Sequence, residues 1–393
     1  MTDPIVKLNL MAEAVSYEVD DTPGCPLYEH KGMRKPAAEM TIDELPEISY
    51  STLPGGKKIP ILKTLLSSAC EKNCNYCACR AGRNFRREIL TPEELADIFM
   101  VMYRKRYVQG IFLSSGIFGG AVKTQDQLLK TAEILRYKYH YRDYIHLKIM
   151  PGAEYDQVLQ AMKLGDRVST NLEGANPKRL YDLAPMKEFH SQLLNPLCWI
   201  EEIRQSKPAS MAWDGRWPST CTQFVVGGTD ESDVELLQIS ELLYKRLKLA
   251  RTYYSAFSPV PDTPLENRAP ESMWRRYRLF QASFLLRDYP FQMEDMPFLQ
   301  DGKLPLDRDP KLAWAEQHLS DQPIEINKAE KSQLLHVPGI GPIGANRILK
   351  MRQRNTFNTL GDLKRIGVVA KRAAPYILLN GTRPSFQPNL LPV

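Results

Sequence analysis

Three cysteines lie within eight residues, at Cys70, Cys74 and Cys77, in the spacing C-x3-C-x2-C. Three thiolates can bind three irons of a [4Fe-4S] cluster and leave the fourth iron open to a further ligand. Cys79 follows two residues later, so the same segment could instead supply four sulfurs to a structural zinc ion. Four ligands within ten residues would be cramped, because zinc sites usually pair two knuckles from separated segments. The spacing therefore favours a cluster over zinc.

The elements that must position these cysteines alternate between short apolar runs and longer helical stretches. The runs predict six strands, over residues 61–66, 110–113, 145–149, 167–172, 222–226 and 252–257. Between the first two runs, Thr91-Pro92-Glu93-Glu94 forms a capping box with proline at the first helical position. Strands that alternate with helices predict a parallel sheet with right-handed crossovers. We therefore expect an α/β fold of the (β/α)-barrel type.

This pattern resembles the radical S-adenosylmethionine (radical SAM) superfamily. The likeness lies in the cysteine spacing, in the aromatic Tyr76 before the third cysteine, and in the cysteine loop that follows the first strand. The resemblance implies a partial (β/α)6 barrel, a [4Fe-4S] cluster on Cys70, Cys74 and Cys77, and S-adenosylmethionine at the open iron. In that family an electron from the cluster cleaves the sulfonium and releases a 5′-deoxyadenosyl radical that abstracts hydrogen from a substrate. An electron donor such as a flavodoxin or ferredoxin is implied as a partner.

The resemblance also implies which residues contact S-adenosylmethionine, by their places after successive strands. The expected cofactor-binding residues are Tyr76, Ser114, Ser115, Gly116, Asn171, Glu173, Val226, Gly227, Gly228 and Pro259. Ser114-Ser115-Gly116 stands where the family has a Gly-Gly-Glu element; because the acid is missing, only a backbone role is implied. Cys79 is a further departure and could be an inert residue, a hydrogen-atom donor or a competing ligand. The sequence assigns no catalytic residue.

The C-terminal part carries a second motif, Pro338-Gly339-Ile340-Gly341, between two helical stretches. Together with its flanking residues, the motif resembles a tandem helix-hairpin-helix, in which glycines let the hairpin backbone approach a phosphate. Residues 323–381 contain ten Lys or Arg against three acids, while the whole chain has a net charge of +6. The positive charge is therefore concentrated there. We predict that Pro338, Gly339, Ile340, Gly341 and Lys350 contact DNA phosphates without reading sequence. The alternative is a protein-docking module.

Taken together, the motifs resemble the branch of radical SAM proteins assigned to DNA modification or repair, with a C-terminal helix-hairpin-helix domain. That resemblance implies DNA as the substrate and a DNA-repair protein as a further partner. Two alternatives stay open. One is radical modification of structured RNA, with the basic domain on the RNA backbone. The other is a non-catalytic DNA-binding protein with a structural metal site.

The residue composition and the positions of segments rich in proline, glycine and other turn formers predict the domain organisation. We expect an N-terminal extension over 1–60, the barrel over 61–289, a linker rich in turn formers over 290–322, a small all-α tandem helix-hairpin-helix domain over 323–381 and a tail over 382–393. The hydrophobic fraction of 43% and charged fraction of 25% are typical of soluble proteins. No apolar run approaches 18 residues and the first residues lack an export signal, so we expect a cytoplasmic protein without a membrane span.

Overall fold

The computed structural model describes residues 4–15, 48–52 and 57–386. Parts of the predicted N-terminal extension and of the predicted tail lie outside these ranges. The described residues up to Glu231, together with Leu242–Arg276, form one compact unit. Ser232–Glu241 and the residues from Tyr277 onward form a second unit. None of the helices in these ranges is both long enough and apolar enough to cross a membrane.

Seven strands of the described residues form one open sheet, in which chain neighbours are also sheet neighbours. They are β1 (Ile48–Thr52), β2 (Lys58–Leu65), β3 (Gly110–Ser114), β4 (Tyr144–Lys148), β5 (Arg167–Ser169), β6 (Ser219–Val226) and β7 (Arg251–Ala256). The strands from β2 to β7 are parallel and confirm the six predicted strands of a partial barrel. β1 pairs antiparallel with β2 and was not predicted, because it is a short edge strand within the predicted N-terminal extension.

Helices precede, connect and follow the strands. They are α1 (Pro4–Val15), α2 (Pro92–Arg104), α3 (Ala121–Glu133), α4 (Tyr155–Leu164), α5 (Pro177–Leu183), α6 (Asn195–Ser206), α7 (Asp233–Leu247) and α8 (Met273–Asp288). The predicted capping box is present at the start of α2. The Glu94 N–H donates to the Thr91 hydroxyl at 3.1 Å, and the Thr91 N–H donates to the Glu94 carboxylate at 2.8 Å.

The register of the parallel strands aligns their C-terminal ends. Leu65 at the end of β2 pairs with Ser114 at the end of β3, and Lys148 pairs with Ser169. The loops that follow these strands therefore leave the sheet at one edge, where function is expected in barrels of this type. The cysteine segment follows β2 at this edge.

The second unit contains the tandem helix-hairpin-helix. Its further elements are α9 (Pro310–His318), β8 (Ile324–Glu325), α10 (Lys331–His336), α11 (Pro342–Met351), α12 (Leu360–Arg365), α13 (Ala370–Ala373) and β9 (Ile377–Leu378). Fully buried Leu334, Ile348 and Leu363 from three of these helices meet in one apolar core. The short parallel pair of β8 and β9 is an addition that the sequence did not predict.

The stretch predicted as a linker differs from that expectation, because it contains α9. Asp309 caps this helix by accepting the Leu312 N–H at 2.9 Å, and Pro310 occupies its first turn. Ala315 and Leu319 belong to the apolar core of the helix-hairpin-helix. The start of this helix was not recognised in the sequence, because residues 301–309 are rich in turn formers. Part of the predicted linker therefore packs as an element of the second unit.

Candidate functional site

The cysteine loop joins β2 to α2 and is closed at its base by backbone pairing. The Leu90 N–H donates to the Leu66 carbonyl at 2.9 Å, and the Ser68 N–H donates to the Glu88 carbonyl at 3.0 Å. Within the loop the Arg87 guanidinium donates to the backbone carbonyls of Ser68, Cys79, Arg80 and Arg83. A rigid group with five N–H donors suits this task. The loop therefore presents its cysteines from a fixed backbone.

Cys70, Cys74 and Cys77 line one cavity at the C-terminal edge of the sheet, and Cys79 lines it too. None of these four cysteines is in a disulfide. Burial raises the pKa of the Cys74 thiol to about 12, although Lys187 acts in the opposite direction. Among the described residues, no three His, Cys, Asp or Glu side chains are grouped around a single metal position. Three thiols spread around one cavity fit a cluster in which each thiolate binds its own iron.

Backbone N–H groups point at two of the sulfurs. The Cys70 Sγ accepts from the Lys72 and Ile117 N–H groups, both at 3.4 Å. The Cys77 Sγ accepts from the Cys79 N–H at 3.4 Å. Hydrogen bonds to sulfur favour the thiolate and help to set the reduction potential of an iron-sulfur cluster. The cysteine loop thus supplies the thiols, and backbone N–H groups of this loop and of the segment after β3 donate to them.

The predicted segment Ser114-Ser115-Gly116 begins with the last residue of β3 and lies against the cysteine loop. The Gly116 N–H donates to the Ser67 carbonyl at 2.7 Å, and the Ser115 hydroxyl donates to the Gly116 carbonyl at the same distance. A Cβ atom on Gly116 would lie 2.4 Å from the Ala69 carbonyl oxygen. Only glycine permits this approach. All three residues line the cavity with the cysteines.

Asn171 and Glu173 follow β5 and also line the cavity. Although β5 ends at Ser169, the chain pairs again with β6 at Glu173. The Glu173 N–H donates to the Gln223 carbonyl at 3.0 Å, and the Val225 N–H donates to the Glu173 carbonyl at 2.8 Å. Glu173 adopts φ of 64°, a left-handed conformation that is uncommon for residues other than glycine. The two backbone bonds hold this conformation and direct the carboxylate inward.

The Glu173 carboxylate lies between two partners. The Tyr76 hydroxyl donates to Oε2 at 2.5 Å, and the Lys187 ammonium donates to Oε1 at 3.0 Å. The side chains of Lys187 and Glu173 are 9% and 6% exposed. Burial tends to raise the pKa of the Glu173 carboxyl, but Lys187 and Lys148 outweigh it and the pKa is lowered. Burial tends to lower the Lys187 pKa, but Cys74 and Glu173 outweigh that effect and raise it. Both groups are therefore held in their charged forms.

Lys187 is a residue of this cavity that was not predicted from the sequence. It lines the cavity with the cysteines and lies in the loop Pro185-Met186-Lys187, which carries no recognisable motif. Only the fold brings it to Glu173. With Lys72 and Lys148, which line the same cavity, it supplies positive charge that suits an anionic part of a ligand.

The expected cofactor-binding residues Val226, Gly227 and Gly228 lie beside the cavity rather than on its wall. Val225 lines the cavity, whereas Val226 occupies the next position of β6, where the side chain points to the opposite face of the sheet. Gly227 has φ of 83°, and a Cβ atom there would lie 2.5 Å from the Glu271 Cβ. For Val226, Gly227 and Gly228 the structure therefore indicates packing around the cavity, with Val225 as the residue that reaches it.

The segment after β7 reaches the cavity through Phe257 and Ser258. Pro259, the residue expected from the sequence, follows one position beyond these lining residues. The Arg83 Nε donates to the Pro261 carbonyl at 2.9 Å, so this segment is joined to the cysteine loop. The segment thus encloses the cavity on the side of the cysteines, but Ser258 rather than Pro259 lines it.

The predicted phosphate-binding hairpin lies between α10 and α11. Gly339 has φ of 84°, and a Cβ atom on it would lie 2.5 Å from the Val369 carbonyl oxygen. The Val369 N–H donates to the Gly339 carbonyl at 3.1 Å. Gly339 is therefore required for packing of the first hairpin against the second, between α12 and α13, whatever else it contacts.

The first hairpin is also held from α9. The Lys311 ammonium donates to the Ile340 carbonyl at 2.6 Å and lies 4.7 Å from the centre of the Tyr289 ring. Lys311 is only 9% exposed. A Cβ atom on Gly341 would meet the Tyr289 hydroxyl at 3.4 Å. The backbone around Ile340 and Gly341 is thus enclosed by residues of its own unit.

The lowered pKa of buried Lys311 predicts that the stability of the second unit depends on pH. Burial lowers its pKa to about 7, while Asp309 raises it and Arg372 lowers it. Between pH 7 and the usual lysine range near 10, the unfolded chain binds more protons than the folded chain, so stability rises with pH there.

Lys311→Met should abolish this rise and increase the free energy of unfolding near pH 7. Urea unfolding at pH 7 and 9.5 measures both, with exposed Lys350→Met as the control. An unchanged pH dependence in Lys311→Met would contradict the prediction.

Residues 64–243 match the family described as the radical SAM superfamily, and residues 320–374 match the helix-hairpin-helix motif. A radical SAM domain implies a [4Fe-4S] cluster and S-adenosylmethionine as cofactors. A search of curated proteins found no match.

Solved structures to which this chain is similar include three proteins at low sequence identity, all with TM-scores below 0.5. Methylornithine synthase (PylB) is 14% identical, with 58% of this chain and 61% of that chain covered and a TM-score of 0.45. The FeFe-hydrogenase maturase HydG from Carboxydothermus hydrogenoformans is 17% identical, with coverage of 58% and 51% and a TM-score of 0.45. The methyltransferase TsrM from Kitasatospora setae is 10% identical, with coverage of 53% and 36% and a TM-score of 0.40. The chain spans less than two thirds of each.

Proposed function

We propose that the radical SAM domain of residues 64–243 catalyses a radical reaction on DNA, with the helix-hairpin-helix motif of residues 320–374 holding the enzyme on the phosphate backbone. The observation that carries the proposal is the shared cavity of the three cysteines and the residues after β3 and β5. The proposed cluster ligands are Cys70, Cys74 and Cys77.

The residues of the cavity fit both cofactors. Three thiols outside any disulfide, with backbone N–H donors aimed at the Cys70 and Cys77 sulfurs, suit an iron-sulfur cluster. Glu173 supplies a carboxylate for ribose hydroxyls, and Lys187 a cation for a carboxylate. When bound, the cluster would supply an electron and S-adenosylmethionine would supply a sulfonium for radical chemistry. The protein's own part is to bind and orient, through Asn171 and Glu173 on the ribose and through the backbone of Ser114, Ser115 and Gly116.

The proposal that the substrate is DNA rests on the second unit. A helix-hairpin-helix motif accompanied by a concentration of Lys and Arg is suited to phosphates without regard to base sequence. We further propose a cytoplasmic enzyme, because reduced thiols persist in the cytoplasm, with a flavodoxin or ferredoxin as electron donor and a DNA-repair protein as a further partner.

The test is release of 5′-deoxyadenosine by the full chain after anaerobic reconstitution and reduction. Single-stranded DNA, duplex DNA and RNA of matched length are added in separate reactions. We expect DNA to increase the release at least tenfold above the protein alone, because substrate binding completes the reaction site. Cys70→Ala is the control and should release none. Stimulation by RNA alone would assign the enzyme to RNA, and stimulation by neither nucleic acid would refute the proposed substrate class.

A further inference from the structure

The two hairpins of the second unit differ in how much of their backbone is enclosed. The first, Pro338–Gly341, is packed on Val369 and held by Lys311. In the second hairpin, residues 366–369, Gly367 is exposed and the Val369 side chain is 54% exposed. The hairpin that the sequence singled out is therefore the less accessible one.

The basic side chains also gather around the second hairpin. Lys364 and Arg365 directly precede it and Lys371 follows it after Ala370, and all three are exposed. From α11, Arg347 donates to the Ile366 carbonyl at 2.8 Å, which adds a fourth cation beside the same turn. One of these cations, Arg365, is paired with Asp362 at 3.1 Å. The surface keeps a clear excess of positive charge.

The surroundings of the first hairpin are different. The residue exposed at the start of α11 is the apolar Ile343, 68% exposed. Lys350, the predicted phosphate contact, lies nine residues beyond Gly341, about 13 Å along the axis of α11 at 1.5 Å per residue. Its charge is therefore placed at the far end of the helix from the hairpin.

We infer that the nucleic-acid backbone contacts the second hairpin and its cations Arg347, Lys364, Arg365 and Lys371, while the first hairpin is a packing element. The inference rests on the proposed binding of nucleic acid by this unit. It reverses the expectation from the glycine pattern, since Pro338–Gly341 matches the motif better in sequence but is the more enclosed turn. The partner is a polyanion with regularly spaced phosphates.

The test compares two charge-matched double variants of the full chain. Lys364→Gln with Lys371→Gln removes two cations beside the second hairpin, and Lys331→Gln with Lys350→Gln removes two elsewhere in the unit. All four lysines are exposed, so the fold should be retained. Binding to a duplex DNA of arbitrary sequence is measured by fluorescence anisotropy across a salt series, with circular dichroism to check folding.

Each phosphate contact contributes about 0.9 to the slope of log affinity against log salt. Loss of Lys364 and Lys371 should therefore reduce that slope by nearly two and lower affinity roughly 50-fold near 0.1 M salt. The other pair should change affinity less than about threefold. Equal losses in both pairs, or a larger loss in the Lys331 and Lys350 pair, would overturn the assignment to the second hairpin. A wild-type chain without salt-dependent binding would instead refute nucleic-acid binding itself, and this inference with it.

Discussion

Replacing Cys70, Cys74 or Cys77 by alanine should abolish cluster binding, and Cys79→Ala should preserve it. One [4Fe-4S] cluster needs a thiolate for each of three irons, so the wild-type chain should hold about four irons after anaerobic reconstitution and each of the three variants close to none. Iron and sulfide analysis with the visible absorption spectrum measures this. The matched control is Cys79→Ala, because Cys79 lines the same cavity and lies on the same loop.

The same variants separate a cluster from zinc. A tetrahedral zinc site would use Cys79 as the fourth ligand, so metal binding in Cys79→Ala would then fall with the rest. A colourless protein that holds one zinc per chain and loses it in Cys79→Ala would contradict the cluster assignment. Retention of iron in Cys70→Ala would contradict the ligand set.

The sequence predicted the strands and the cysteines because both signals are local. Apolar runs of fixed length alternate with helices, and the three cysteines are close enough for their spacing to define a ligand set. The end of a parallel strand is also a local feature, which explains why Ser114, Gly116 and Glu173 could be assigned to one edge of the sheet. Each of these residues lies at the cavity in the structure.

Residues brought together by tertiary packing could not be predicted in this way. Lys187 lies 14 residues after Glu173, in a loop without a motif, and only the course of the chain places its ammonium 3.0 Å from the Glu173 carboxylate. Likewise Val226 lies on the expected strand, but the alternation of side chains across the sheet directs Val225 to the cavity instead.

The first hairpin, Pro338–Gly341, shows a third reason why structure could not be fully predicted from the sequence. A glycine pattern indicates a tight turn, but it does not say what the turn approaches. At Gly339 the close neighbour is the Val369 carbonyl of the second hairpin. Whether α9 would enclose Ile340 could not be predicted either, since the capping signal at Asp309 and Pro310 stood among turn formers.

Glu173 and Lys187 form a buried ion pair. Variants of this pair distinguish contact with the cofactor from structural support. Removing one partner of a buried ion pair leaves the other charge uncompensated and costs roughly 3–5 kcal/mol of stability. Glu173→Gln and Lys187→Met should therefore each lower the free energy of unfolding by that amount. The double variant replaces both charges by neutral groups of similar size and should recover most of this loss.

S-adenosylmethionine affinity should follow a different pattern from stability in these variants. If the Glu173 carboxylate accepts hydrogen bonds from the ribose hydroxyls, its loss removes interactions of about 1.5–3 kcal/mol, or roughly ten- to a hundredfold in affinity. Affinity should then stay low in Glu173→Gln and in the double variant, although the double variant is stable again. Iron content should match wild type in all three, because neither residue is a proposed ligand. Binding is measured by equilibrium dialysis on reconstituted protein, with unfolding curves on the same samples. Recovery of affinity in the double variant would make the pair a structural clamp for Tyr76 and the cysteine loop, and would remove Glu173 from the cofactor site.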